Sequence, residues 1–184
     1  SFFNRAYLAS PDAQILGSYD KVHLVPFGEY VPLKRFLPFV QRLVAAAGDF
    51  LPGDSQEPLK FPKASAGILI CFESIFPELG RAMTANGAAL LVNLTNDAWY
   101  GMSSAPYQHF SMAVFRAVEN RRPVIRAANT GISAFILPNG RILEQSGLFT
   151  ETLLTREVPL PYPGLTLYTR YGDFFAIVLT IFSA

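Results

Sequence analysis

The only cysteine in 184 residues, Cys71, stands in "GILICFESIFPE" (67–78), where a short apolar run gives way to a helix-like pattern. A thiol at the carboxyl end of a strand and just ahead of a helix occupies the place where open α/β sheets present reactive groups. The partial positive charge of a helix N-terminus would favour thiolate there. A free cysteine that packs as a small hydrophobe fits the same position, so position alone leaves both readings open. Glu73, two residues on, belongs either to that site or to a helix first turn, where the dipole favours a carboxylate. Upstream, "DKVHLVPFGEY" sets Lys21 and Glu29 around a rigid Pro-Gly turn, so that a cation and a carboxylate can converge, as a catalytic pair or as a solvated ion pair. His23 precedes the Pro-rich loop and His109 falls in a predicted helix; each suits a structural hydrogen bond, and no cysteine–histidine pair is evident. One cysteine and two distant histidines give no metal-ligand spacing.

Those residues need elements to hold them. Residues 1–9 and 13–18 read as strands around the turn "SPDA". Two prolines and a glycine make most of 19–33 a constrained loop. Residues 33–47 read as an amphipathic helix interrupted by Pro38, and strands flank "FPKASAGILIC". From there strands and helices alternate: strand 66–71, helix 75–86 ending at Gly87, and a continuous apolar strand "AALLVNL" (88–94) of the kind buried on both faces. The loop "TNDAWYGMSSAP" leads to helix 106–121, strand 123–129 and a hairpin turning at Asn139-Gly140. Residues 150–158 offer one more strand. This order predicts a single α/β domain with helices layered on a mixed sheet, because the hairpins exclude a purely parallel one.

Composition narrows the partners. With 15 Lys+Arg against 14 Asp+Glu, the net charge of +1 gives no electrostatic case for nucleic acid. At 51% hydrophobic and 16% charged the chain is more apolar than an ordinary soluble domain, which suits a tight α/β core or a membrane contact. The stretch "DFFAIVLTIFSA" (173–184) carries no charge after its first residue, and a spanning helix needs roughly 20 apolar residues. It reads either as a C-terminal strand or helix, or as the start of a transmembrane helix that follows a domain over 1–172. The chain opens without an initiator Met or a signal-peptide pattern, so an N-terminally incomplete domain is expected.

Taken jointly, "YDKVHLVPFGEYVP", "ICFESIFPE", "NLTNDAWYG", "QHFSMAVFRAVENRRPVIRAANTGIS" and "GLTLYTRYGD", in this order, resemble the nitrilase (carbon-nitrogen hydrolase) superfamily and, within it, the apolipoprotein N-acyltransferases. The resemblance implies a four-layer α-β-β-α sandwich and a Glu-Lys-Cys triad that uses no cofactor. It makes Cys71 the nucleophile, Lys21 the catalytic lysine, Glu29 a supporting carboxylate and Glu73 a neighbour of the nucleophile. The general-base glutamate is expected upstream of this chain. Phe72 stands where the branch often carries Tyr. The resemblance further implies a phospholipid acyl donor, a diacylated lipoprotein acceptor, and a catalytic domain on the periplasmic side of the bacterial inner membrane. Trp99 and Tyr100, in the apolar loop, would border an acyl chain or rest at the lipid interface, where such side chains are favoured. The same thiol chemistry would also serve a soluble amidase that hydrolyses small amides.

Overall fold

The computed structural model describes residues 2–32, 49–160 and 164–183. The helix expected over 33–47 lies outside the described residues. Two compact units divide the chain, Ser1–Ser55 and Gln56–Ala184.

In the N-terminal unit, β1 (Arg5–Ala9) and β2 (Ile15–Asp20) form an antiparallel pair in which Ala6 faces Tyr19 and Arg5 faces Asp20. Ala6 and Tyr19 are buried, while Arg5 and Asp20 close an exposed ion pair on the same ladder. The turn between the strands is held by the Ser10 side chain, which accepts from the Gln14 amide and donates to Asp12. Beyond β2 the chain is tied by its backbone. The Lys21 amide donates to the Asn4 carbonyl at 2.9 Å, and the Lys21 carbonyl accepts from Gly53 at 2.8 Å. Gly53 approaches so closely that a Cβ there would overlap the Asp20 carbonyl.

The C-terminal unit is built on a six-stranded mixed sheet of order β3-β4-β5-β6-β7-β8: Leu59–Phe61, Ala64–Ile70, Leu90–Asn96, Val124–Asn129, Ala134–Ile136 and Ile142–Gln145. The three central strands run parallel and are joined by α1 (Pro77–Ala85) and α2 (Ala105–Asn120), since parallel neighbours need a crossover. The helices pack on the central strands and on each other, sealing Leu69, Met83, Leu91, Ala113, Ala117 and Val124. Hairpins add β3, β7 and β8 antiparallel at the edges, with Gly140 in the left-handed turn at φ 84°. A sheet with helices layered on it is what one half of the expected sandwich requires.

Element bounds moved where local chemistry overrode pattern. Instead of one helix from residue 75, a 3-10 turn covers Cys71–Ile75 and α1 begins at Pro77. Proline disfavours helical backbone in the residue before it, and Phe76 is extended. β5 starts two residues later than the apolar run, because Ala88 is used to close α1, its amide donating to Met83 O at 3.0 Å. No strand forms over 150–158; this segment is largely exposed, with Leu153 at 91%, and its backbone pairs with no strand of the sheet. The apolar C-terminal stretch forms α4 (Phe174–Ser183), after the short α3 (Leu167–Tyr171). Among the described residues no helix is long and apolar enough to cross a membrane.

Gly67 marks how tightly α1 seats on the sheet. A Cβ there would lie 2.7 Å from Met83 Cβ and 2.9 Å from Leu91 Cδ2. Gly67→Ala is expected to lower unfolding free energy by about 1–3 kcal/mol, the usual range for overpacking a core. Urea denaturation followed by circular dichroism checks it, and an unchanged midpoint would refute the close packing.

Candidate active site

β4 brings an apolar, buried run to its end at Ile70, and the next residue is Cys71 with φ 53°. A non-glycine residue in left-handed backbone costs about 1–2 kcal/mol, so its surroundings have to hold it there. They grip both flanking peptides. The Ile70 amide donates to Glu73 Oε2 at 2.7 Å, and Glu73 is fully buried. The Cys71 carbonyl oxygen is met by Ser74 Oγ at 3.2 Å, Asn93 Nδ2 at 3.4 Å and His109 Nε2 at 3.2 Å. The thiol-bearing residue itself is half-buried and reachable.

A buried polar network underlies this turn. His109 Nδ1 lies 2.9 Å from Asp97 Oδ1, which also accepts from the Thr95 hydroxyl. Asp97 Oδ2 accepts from Arg126 at 2.7 Å, and Arg126 donates further to Asn93 Oδ1 and to the Ile132 carbonyl. Asn93 and Arg126 face each other across β5 and β6. A Cβ on Gly131 would overlap the Asp97 carboxylate, so only glycine lets the chain pass. Burial pushes the Asp97 carboxyl up, but its hydrogen bond to His109 and the Arg126 charge outweigh this and hold it below the ordinary value. Burial pulls Arg126 down from its ordinary range, with Asp97 opposing.

The other predicted pair sits in the N-terminal unit. Lys21 is 1% exposed, and its Nζ donates to both Glu29 oxygens at 2.9 and 2.8 Å. Glu29 accepts in addition from Asn4 Nδ2 and the Val25 amide, each at 2.8 Å. Burial raises the Glu29 carboxyl; Lys21, Val25 and Asn4 together bring it below the ordinary value. The ion pair is therefore sequestered rather than solvated.

Of the sequence-predicted residues, Cys71, Glu73 and Tyr100 gather in the C-terminal unit, and Lys21 with Glu29 in the N-terminal one. Tyr100 is half-buried, edge-on to the His109 ring at 5.8 Å, and its phenol is raised chiefly by burial, with the nearby Asp97 carboxylate adding to the shift. Trp99 is 83% exposed and stands with Met102, at 90%, on the same loop. Cys71 does not sit just ahead of an α-helix: it is the first residue of the five-residue 3-10 turn, and α1 starts six residues later. Sequence reading treated His109 as a lone structural histidine and missed Asn93, Asp97, Arg126 and Ser74. A signal existed: Asn93 and Arg126 each interrupt an otherwise apolar strand, and two polar breaks in neighbouring parallel strands can pair.

The sequence profile of the carbon-nitrogen hydrolase family matches residues 1–166. The chain belongs to the carbon-nitrogen hydrolase family. Within reach of that family, it is 57% identical over 175 residues to an apolipoprotein N-acyltransferase of Geobacter metallireducens, a match covering 95% of this chain and 33% of that protein. The chain thus spans about a third of the length of that relative. Among solved structures it resembles a carbon-nitrogen hydrolase from Helicobacter pylori, with TM-score 0.61 and 20% identity over 81% of this chain and 54% of the other. It also resembles a Nesterenkonia amidase, in a mutant showing covalent addition of the acetamide moiety of fluoroacetamide at its active-site cysteine, with TM-score 0.56 and 28% identity over 78% and 51%. The nitrilase-like α/β fold read from the motifs is the fold of these neighbours.

The Asp97 network predicts a pH signature. Because the folded carboxyl lies below its unfolded value, its stabilisation is complete above the ordinary aspartate range and disappears as pH falls through the folded value. Asp97→Asn leaves Arg126 buried without a counter-charge and is expected to cost about 3–5 kcal/mol at neutral pH. The gap between variant and wild type narrows as pH drops below about 3.9, the unfolded aspartate value. Urea midpoints from pH 2 to 7 test this; a constant gap would contradict it.

Proposed function

We propose that the protein containing this chain moves an acyl chain from a membrane phospholipid, through a thioester on Cys71, to the α-amino group of a diacylglyceryl cysteine at a lipoprotein N-terminus. The observation that carries the reading is Cys71: a half-buried thiol on a clamped left-handed turn at the end of a central strand. The name of the Geobacter relative supports the acyl-transfer branch, and the Nesterenkonia neighbour supports a cysteine nucleophile on this fold.

In the first half-reaction the thiolate attacks the phospholipid ester carbonyl, a tetrahedral intermediate forms, and the lysophospholipid leaves as an alcohol after taking a proton. A thioester persists long enough to await the second substrate yet yields readily to an amine. In the second half-reaction the lipoprotein amine attacks the thioester, an amide forms, and the thiol is released. A general-base glutamate outside this chain takes the thiol proton, returns it to the leaving alcohol, and later deprotonates the attacking ammonium. Lys21 and the backbone N–H that follows Cys71 stabilise the oxyanions, a term worth about 3–4 kcal/mol per donor. Glu29 pairs with Lys21 and aims it, and Glu73 keeps the turn at Cys71. The roles of Lys21 and Glu29 rest on the family motif.

The lipid side of the reading has its own support. α4 exposes Phe174, Phe175, Ile177, Leu179, Ile181 and Phe182, and Trp99 and Met102 project from their loop. We read residues 1–172 as the catalytic domain and 173–184 as the entry to a membrane helix, with the domain facing the periplasm at the bacterial inner membrane.

Intact-mass spectrometry of the full-length protein in detergent, incubated with phospholipid and no acceptor, is expected to give a mass gain of one acyl chain. The adduct is absent in Cys71→Ser and released by a diacylated peptide amine. An unacylated Cys71 together with hydrolysis of a small amide would replace this reading with that of an amidase.

A further inference from the structure

Ser74, His109 and Asp97 form a chain of contacts with the outline of a hydrolytic triad: Ser74 Oγ lies 3.0 Å from His109 Nε2, and His109 Nδ1 lies 2.9 Å from Asp97 Oδ1. It cannot act as one. Ser74 is fully buried, His109 is 4% exposed, and no substrate carbonyl can reach that hydroxyl. What the constellation does reach is the backbone of the nucleophile. Nε2 of His109 and Oγ of Ser74 are both 3.2 Å from the Cys71 carbonyl oxygen.

We infer that His109 is a positioning residue for Cys71: clamped at Nδ1 by Asp97, its ring props the Cys71 carbonyl and thereby fixes the left-handed turn that presents the thiol. The inference rests on the reading of Cys71 as the nucleophile. Three features of the site favour it over simple core filling. The ring is fixed at both nitrogens, since Nδ1 meets Asp97 while Nε2 meets Ser74 and Cys71. The support is itself anchored, because Asp97 is held by Arg126 and Thr95, and Arg126 by Asn93 and Ile132. The same network returns to Cys71 by a second route, through the Asn93 amide that bonds both the Leu69 and the Cys71 carbonyl. α2 carries the prop and is locked to the turn from its other side, where Arg116 donates to the Ser74 carbonyl at 3.1 Å. Movement of α2 or of the β5–α2 loop therefore moves the nucleophile.

Two substitutions separate the two contacts of the ring. Asparagine places its amide where Nδ1 was, keeps a partner for Asp97 and falls short of residue 71; glutamine extends an amide to the Nε2 position. Both are compared with wild type in the full-length protein in detergent. The first readout is the rate of Cys71 carbamidomethylation by iodoacetamide, resolved by peptide mass spectrometry, which needs no acyl donor. The second is steady-state acyl transfer. His109→Asn is expected to slow alkylation about ten-fold and kcat about 100-fold with KM within about two-fold, the scale set by small misplacement of a reacting group, and His109→Gln to recover both to within about three-fold of wild type. Equal alkylation rates in the two variants overturn the inference, whether both match wild type or both are slow. If His109→Asn does not fold, His109→Gln decides alone: alkylation slowed well beyond about three-fold relative to wild type, although its amide reaches the Nε2 position, overturns the inference. Failure of the acyl-transfer reading would appear separately, as a wild-type Cys71 that phospholipid does not acylate while the alkylation comparison still decides the role of His109.

Discussion

Everything around the thiol follows from one constraint: Cys71 adopts backbone that an L-residue avoids, and the neighbouring peptides have to be bonded to keep it there. The groups that meet this need come from different elements. Glu73 and Ser74 belong to the turn itself, Asn93 to β5, His109 to α2, and Arg126, one step removed, to β6. The parallel sheet and its crossover helices are the means of bringing them to the two peptides that flank the thiol, with Ser74, Asn93 and His109 on the Cys71 carbonyl and Glu73 on the Ile70 amide. A hydrophobic core would supply the adhesion without the direction; hydrogen bonds to a single oxygen supply direction.

The N-terminal unit solves a comparable problem with charge. Lys21 is withdrawn from water, and its ammonium is paired with a carboxylate that accepts four hydrogen bonds in all. Removing either partner would strand the other in a medium that does not tolerate a bare charge. Both units thus hold their candidate site residues by anchoring the backbone first: Lys21 between Asn4 and Gly53, Cys71 between Glu73 and the carbonyl-binding side chains. Side-chain aim is the consequence.

Much of this was legible in the residues. The alternation of apolar strands with amphipathic helices placed β4, β5, β6, α1 and α2 to within a few residues, and Asn139-Gly140 placed the hairpin turn. The candidates Cys71, Lys21 and Glu29 stood out by type and motif. What pattern did not reveal was the contact partners, because hydrogen bonds such as His109 to Asp97 join residues whose proximity depends on the crossover, not on local period. The 3-10 turn at Cys71 was hidden for a different reason: Glu73 and Ser74 are common first-turn residues, and only Pro77 hinted that the α-helix had not yet begun. The strand read into 150–158 failed because β-propensity needs a neighbour's backbone, and the sheet offers none there.

Gly131 shows how far the demands of one turn can spread. It touches no reacting atom, yet the space its missing side chain leaves is filled by the Asp97 carboxylate. Any other residue at that position would push on the acid, the acid on the imidazole, and the imidazole on the cysteine carbonyl. In a library of random variants scored by activity alone, position 131 would be as intolerant as a residue of the reaction centre, and a map of sensitive sites drawn from such scores would mistake a spacer for chemistry.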